Sequence, residues 1–201
     1  MGVILLKITT RRDQHIENSL KVSYEGNTML EDIYIEHNSL PELDFNEIDT
    51  SSYFLGKKID FPLLINSITG GTERGSEINE GLYMLSKQFN IPMAVGNQGV
   101  IFDEDISEEM FLAEDMAVDV NRSVVISNLS AKSSMDRVSM AMEMIKADAV
   151  SMYLNSAQEI VIKDGERNFT GVLENIEKAS RLFPGKVIIK EVGFGMSKEV
   201  I

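Results

Sequence analysis

The residues best suited to chemistry are Gln158 and Glu159, which lie a few positions beyond a short apolar segment. Just past the end of a strand, a carboxylate is a hard oxygen ligand that suits Mg²⁺, and the metal in turn suits a diphosphate. The simpler interpretation is a helix start at which Glu159 complements the helix dipole, and the residues taken alone favour it. Both interpretations place the pair at the end of a strand.

A second candidate is Lys190, which lies inside the otherwise apolar stretch 187–192. An unpaired ammonium group is costly to bury, so this lysine needs a partner. A salt bridge to Glu191, or to a carboxylate on a neighbouring strand, is the partner that spacing alone favours. An anionic group of a bound ligand is the alternative.

A cationic cluster near the start of the chain consists of Arg11, Arg12 and His15. Arginine binds phosphate oxygens through two parallel hydrogen bonds, and three donors within one helical turn could offset an acidic background. We therefore interpret the cluster as a candidate diphosphate clamp. The alternative is that this basic pair is solvated surface.

Polar residues also end three other apolar segments. Ser67, Ile68 and Thr69 precede two glycines in a hydroxyl-rich turn, and Asn97 and Asn128 follow the next two segments. Taken alone, Thr-Gly-Gly usually marks only a tight turn. Together, the three sites predict hydrogen-bonding groups at the ends of neighbouring strands.

The elements that must position these residues are short apolar segments, each followed by a stretch with helical spacing. Such alternation is typical of repeated βα units around a parallel sheet, whose buried strands read as continuous apolar runs. The predicted strands cover five ranges: 61–66, 91–95, 123–127, 148–152 and 187–189.

Apolar side chains at helical spacing predict three helices that each present one stripe to the sheet. The first 60 residues are more polar, with a short helix predicted at 12–21 and an extended piece at 34–39. The three stripes are Ile78, Leu82, Leu85 and Phe89; Val138, Ala141, Met142 and Ile145; and Phe169, Val172, Leu173, Ile176 and Phe183.

The predicted fold class is α/β, with about the first five βα units of a (β/α)8 TIM barrel. A complete barrel has eight strands and places its active site at their carboxyl ends. We expect an N-terminal extension at 1–60 that carries the clamp residues, and a partial barrel at 61–201 with strands 1 to 5.

Composition argues against several classes of partner. The 201 residues carry a formal net charge of -13, which would repel nucleic acid or an anionic membrane surface. The absence of cysteine excludes disulfides and thiolate metal sites. The first residues hold an apolar run too short for the core of a signal peptide, so we expect a cytoplasmic protein.

Four motifs together resemble those of the type 2 isopentenyl-diphosphate isomerases, an FMN-dependent family: Arg-Arg-x-x-His, Ser-Ile-Thr-Gly-Gly, Asn-x-x-Gln-Glu and Lys-Glu-Val-Gly. The resemblance runs from Arg11 to Ile201. It implies the conversion of isopentenyl diphosphate to dimethylallyl diphosphate, a step of isoprenoid biosynthesis. In that family reduced FMN relays the proton, Mg²⁺ neutralises the diphosphate and NADPH only reduces the flavin, so no catalytic side chain is assigned.

The resemblance also implies a role for each candidate residue. It assigns the metal to Glu159 and the substrate to Arg11, Arg12, His15 and Gln158. It assigns FMN to Ser67, Ile68, Thr69, Asn97, Asn128 and Lys190, with Lys190 stabilising the negative charge of the reduced ring.

The chain departs from the family pattern at four positions. Arg12 stands where lysine is usual, Asn97 replaces a serine, Tyr153 replaces a histidine, and Gly99 replaces a longer side chain. The last three strands, which in the family carry the loops for the FMN phosphate, are absent from the sequence.

We therefore expect the isolated chain to bind FMN poorly and to be inactive, and the full-length protein to form a homo-oligomer, a tetramer or an octamer. Two alternatives stay open. One is an FMN-dependent oxidoreductase on the same barrel, and the other is an inactive fragment that lacks the FMN phosphate site.

Overall fold

A four-stranded parallel sheet with helices packed against it forms the centre of the computed structural model. The structure describes residues 12–23, 29–103, 106–111, 116–119, 121–163 and 165–201. The sheet order is β3-β4-β5-β6, and a separate antiparallel hairpin is formed by β1 and β2. The strands are β1 Ser52–Phe54, β2 Lys57–Ile59, β3 Met93–Ala94, β4 Val125–Ser130, β5 Ala149–Leu154 and β6 Val187–Glu191.

The helices mostly follow the strands, as βα units require. Residues 12–19 are helical and are called α1. Single 3-10 turns lie at Leu30–Asp32, Phe45–Glu47 and Glu108–Met110. The remaining helices are α2 Glu73–Phe89, α3 Gly99–Asp103, α4 Met135–Met144, α5 Ser156–Val161 and α6 Val172–Leu182. In the part of the chain that the structure describes, none combines the length and apolar composition that crossing a membrane requires.

The predicted α/β class and parallel sheet are confirmed, and four of the five predicted strands are present with shifted ends. The segment 61–66 is the exception, because only Ile65 pairs with the sheet, as a single parallel bridge to Met93. Pro62 lacks the N–H that a ladder needs. Beyond the bridge, the Asn66 side chain accepts from the Ser67 N–H at 2.9 Å and turns the chain.

The predicted apolar stripe is confirmed for α4 and only partly correct for α2, where Ile78 and Leu82 are half-buried. Val138, Ala141, Met142 and Ile145 are buried, as expected. On α2, by contrast, Leu85 and Phe89 are 45% and 44% exposed. The buried face of α2 instead carries small and polar residues that allow close approach to the sheet: Gly75, Asn79, Tyr83 and Ser86.

The stripe on α6 is only partly correct. Val172, Ile176 and Phe183 pack against the core cluster of α4, β4 and β5, and Ala179 is fully buried. Leu173 is 72% exposed, so it belongs to the solvent side. The core under α6 therefore depends on small as well as large side chains.

The β1–β2 hairpin covers one face of the sheet near its amino-terminal end. Phe54 and Leu55 of the hairpin pack on a buried cluster formed by Ala94, Val124, Ile126 and Ala149. Asp148, directly before β5, joins the hairpin to the sheet by an ion pair with Lys57 at 2.8 Å. This end of the sheet is closed, and the opposite end is where the candidate residues lie.

Candidate functional site

A cleft of about 810 Å³ opens at the carboxyl ends of β3 to β6. Residues from the Ile65 turn, all four strand ends, α1 and α5 line it. Ten of the eleven predicted site residues are among them, and Arg11 lies outside the described residues. The ten are Arg12, His15, Ser67, Ile68, Thr69, Asn97, Asn128, Gln158, Glu159 and Lys190.

The inner face of the sheet changes from apolar to polar along the strands. Asn128, Ser151 and Lys190 lie on β4, β5 and β6. Side chains two positions apart on a strand share a face. On the same three strands, the residues two positions earlier are apolar: Ile126, Ala149 and Ile188.

Lys190 donates a hydrogen bond from Nζ to the Ser67 hydroxyl at 2.5 Å, across the width of the cleft. Partial burial lowers the pKa of the Lys190 ammonium group. The salt bridge that spacing favoured does not form, because one carboxylate oxygen of Glu191 accepts from the N–H groups of Gly193, Phe194 and Gly195. Lys190 therefore keeps its charge directed at the cleft.

Glu159 is fixed by two hydrogen bonds at the edge of the cleft. The Asn155 amide donates to Oε1 at 2.8 Å, and the Glu166 N–H donates to Oε2 at 2.8 Å. Among the described residues, no group of three or more acidic or histidine side chains could hold a metal. A lone carboxylate still fits Mg²⁺, which keeps several waters and binds through one or two carboxylates plus substrate phosphates.

Asn128 carries an unsatisfied acceptor. It is 3% exposed, and among the residues that the structure describes its Oδ1 has no hydrogen-bond partner. The hydroxyl of Ser151, its register partner on β5, is equally buried and unpaired. A buried polar atom without a partner is costly, and Asn128 also lines the cleft, so its acceptor fits a ligand with a hydrogen-bond donor, such as a flavin ring.

Gln98 holds the end of β4 in place and was missed by the sequence reasoning. Its Oε1 accepts from the Ser127 hydroxyl at 2.6 Å and from the Asn128 N–H at 3.2 Å. Its Nε2 donates to the Ala141 carbonyl at 3.0 Å. The side chain is fully buried, so it ties the loop after β3 to β4 and α4.

The turn after Ile65 seats α1 against the cleft. Arg12 donates from Nη1 to the Gly70 carbonyl at 3.1 Å, and the Thr72 hydroxyl donates to Asp13 at 3.0 Å. A Cβ on Gly71 would lie 2.0 Å from the Arg12 guanidinium, and the φ of Gly71 is 79°. Glycine is therefore required for this contact, which brings Arg12 and His15 to the cleft.

Tyr153 lies at the end of β5 and lines the cleft. Burial raises the pKa of its phenol, the charge of Glu159 adds to the shift, and a hydrogen bond with Ser130 opposes it. The phenol is consequently neutral across the physiological range. It supplies a hydrogen-bonding group without a charge.

Comparison with known proteins gives one consistent name. No protein-family model matches the chain. The isopentenyl-diphosphate delta-isomerase of Pyrococcus horikoshii is 37% identical over 204 residues, which cover 94% of this chain and 54% of that protein. The isomerase of the same name from Bacillus licheniformis is 37% identical over 193 residues, with 94% and 54% covered. This chain thus spans about half the length of these relatives.

Proposed function

We propose that this chain forms the substrate- and flavin-facing part of an FMN-dependent isopentenyl-diphosphate delta-isomerase, which converts isopentenyl diphosphate to dimethylallyl diphosphate. The observation that carries the proposal is the single cleft that gathers ten residues chosen from separate motifs. The similarity to proteins named isopentenyl-diphosphate delta-isomerase supports the same reaction.

The proposed whole fold is a (β/α)8 barrel. Four parallel strands in sequential order, the Ile65 bridge beside β3 and the polar carboxyl ends support it. The relatives are nearly twice as long as this chain, which leaves room for further βα units. These units would complete the cleft from its open side.

Several residues of this chain would hold FMN. When bound and reduced, the flavin supplies proton-transfer chemistry for the substrate's double bond. Lys190 offers positive charge to an anionic ring, and Ser67 fixes the ammonium group that does so. Asn128 and Ser151 offer unpaired hydrogen-bonding atoms on the same face of the sheet. The protein's contribution is positioning and charge stabilisation.

The diphosphate would lie between the basic residues of α1 and the carboxylate of α5. Arg12 supplies positive charge and His15 a ring nitrogen on one side of the cleft, and Glu159 supplies a ligand for Mg²⁺ on the other. A net charge of -13 makes such local cations necessary for an anionic substrate. Gln158 offers an amide to the same substrate.

A chimera tests this proposal. The whole chain is joined to the part of the Pyrococcus horikoshii protein that the match leaves uncovered, and the product is supplied with FMN, NADPH and Mg²⁺ without oxygen. We expect isopentenyl diphosphate to yield dimethylallyl diphosphate, detected by NMR, with no net consumption of NADPH after the flavin is reduced. A folded, FMN-loaded chimera that forms no product contradicts the proposal. Stoichiometric NADPH oxidation indicates an oxidoreductase instead.

A further inference from the structure

We propose that Arg167 and the ion pair between Lys132 and Glu166 are positioning residues for the Glu159 carboxylate. These residues belong to, or anchor, a short segment at 165–168 that we call the strap. The inference rests on the proposed function, in which Glu159 binds Mg²⁺. It assigns a role to residues that lie outside the lining of the cleft.

The first support is the close approach of the strap to Glu159. The Glu166 N–H donates to Glu159 Oε2 at 2.8 Å. A Cβ on Gly165 would lie 2.1 Å from the Glu159 carbonyl oxygen and 2.9 Å from Oε2. Only glycine fits at this point, so the backbone of the strap lies directly against the backbone and side chain of Glu159.

The second support is the hydrogen bonding of Arg167. Its guanidinium donates to the carbonyl oxygens of Glu159 and Ile162, the latter at 2.7 Å. These are carbonyls at the end of α5, a helix of only six residues. Helix ends leave such carbonyls unsatisfied, and arginine there also complements the helix dipole. Arg167 therefore stabilises the helix that carries Gln158 and Glu159.

The third support is the anchor of the strap on the loop after β4. Lys132 forms an ion pair with Glu166 at 2.8 Å and donates to the Asn168 carbonyl at 2.5 Å. The Glu166 carboxylate also accepts from the N–H groups of Arg167 and Asn168.

These contacts connect the loop after β4 to α5, the helix that carries Glu159. Isolated surface ion pairs contribute little to stability. Here the pair fixes a backbone N–H that bonds the candidate metal ligand, which is the arrangement by which outer residues orient metal ligands. A loss of Lys132 or Arg167 should therefore disturb the carboxylate before it disturbs the fold.

The test compares Lys132→Ala, Arg167→Ala and Arg167→Lys with two control variants. Lys178→Ala and Arg181→Ala remove exposed cations of the same types that pair with glutamates on α6. Each variant of the whole chain is titrated with inorganic diphosphate, once with and once without Mg²⁺. A separate titration measures FMN binding. Hydrogen exchange is measured at the Glu166 amide, and melting temperature is recorded.

We expect Arg167→Ala to weaken Mg²⁺-dependent diphosphate binding by about tenfold or more, the scale seen for residues that orient metal ligands. Arg167→Lys should be intermediate, because lysine keeps the charge but not the two-pronged geometry. Lys132→Ala should show a smaller loss. In all three variants, hydrogen exchange at the Glu166 amide should accelerate. Their FMN affinity and melting temperature should equal those of the control variants.

Two results would overturn parts of this account separately. The positioning role would be contradicted if both alanine variants matched the controls in two measurements. These are hydrogen exchange at the Glu166 amide and Mg²⁺-dependent affinity for diphosphate. A wild-type protein that gains no diphosphate affinity from Mg²⁺ would contradict the proposed metal site instead. In that case, exchange at Glu166 still decides whether Lys132 and Arg167 hold the strap against Glu159.

Discussion

The two ends of the sheet differ in how their charged side chains are paired. At the amino-terminal end, Asp148 bonds Lys57 at 2.8 Å, Arg122 at 2.8 Å and the Val125 N–H at 2.9 Å. At the carboxyl end, the buried acceptor of Asn128 has no partner among the described residues, and Lys190 is held by a neutral hydroxyl. The first end pairs its carboxylate with protein cations, and the second presents a cation to the open cleft.

The apolar layers show the same contrast. The hairpin places Phe54 and Leu55 over the amino-terminal half of the inner face. Nothing comparable among the described residues covers the carboxyl half, which opens as the cleft. In parallel α/β sheets, ligands bind at the carboxyl ends of the strands, so substitutions at the two ends should separate into effects on stability and effects on binding.

The largest expected effect is at the binding end, for Glu159→Gln. The amide keeps the shape of the side chain but removes the charge, so Mg²⁺-dependent binding of isopentenyl diphosphate should fall by more than about 100-fold, beyond the range for residues that only orient ligands. FMN affinity should be unchanged. Glu177→Gln, on the exposed face of α6, is the control. Magnesium dependence equal to that of the wild type would remove Glu159 from the metal site.

At the opposite end, Asp148→Ala should lower the free energy of unfolding by about 2 kcal/mol, because it leaves the largely buried Arg122 guanidinium without its carboxylate. Urea denaturation at pH 7 measures this. Glu174→Ala, which breaks an exposed pair with Lys178, should leave the free energy of unfolding nearly unchanged. An equal loss in the two variants would mean that the amino-terminal network is ordinary surface charge.

The same aspartate predicts a pH dependence with a definite sign. Burial alone would raise the pKa of Asp148, but hydrogen bonds from Lys57, the Val125 N–H and Arg122 outweigh it and lower the pKa. A lowered folded-state pKa stabilises the protein above the pKa of the unfolded carboxyl group, and this contribution is lost as pH falls through the folded value. The stability difference between wild type and Asp148→Ala should therefore shrink in acid.

At the binding end again, Lys190→Ala should weaken FMN binding by about tenfold, because a charge is removed from a site of low polarity. Binding of the reduced flavin should be weakened more than binding of the oxidised form, so the reduction potential of the bound flavin should fall. Fluorescence titration and potentiometry measure the two quantities. Lys186→Ala, exposed just before β6, is the matched control. An unchanged potential and affinity would make Lys190 a structural residue.

How far the sequence predicts this molecule depends on whether a signal is local. Four strands and the α4 stripe were predictable because continuous apolar runs and helical spacing determine burial directly. The α2 stripe was predictable only in part, because Asn79 and Ser86 are buried there and Leu85 is exposed. The buried Ser86 hydroxyl donates to the Ile91 carbonyl just beyond the end of α2, a contact that apolar spacing does not encode.

The candidate site shows the same difference between residues that a simple pattern predicts and residues that it does not. Its residues converge because carboxyl ends of parallel strands meet at one edge, a rule that needs only the strand assignments. Gln98 and Arg167 were missed because they act on backbone atoms far away or in irregular segments. Asn155 had a signal, since it lies four residues before Glu159, the spacing at which helical side chains meet.

The smallest effects expected come from a pair of glycines that mark the same contrast between packed cleft wall and open surface. A Cβ on Gly96 would lie 2.1 Å from the Thr69 carbonyl oxygen, whereas one on Gly81 of α2 would meet nothing within 4 Å. Gly96→Ala should therefore push the Thr69 turn away from β3. This should lower the free energy of unfolding by about 1 kcal/mol and weaken FMN binding. Gly81→Ala should instead stabilise the protein by about 0.5 to 1 kcal/mol, because alanine restricts the unfolded chain and favours helix. Urea denaturation and an FMN titration on both variants decide the matter. Equal behaviour would show that the turn and β3 are not in contact at the cleft wall.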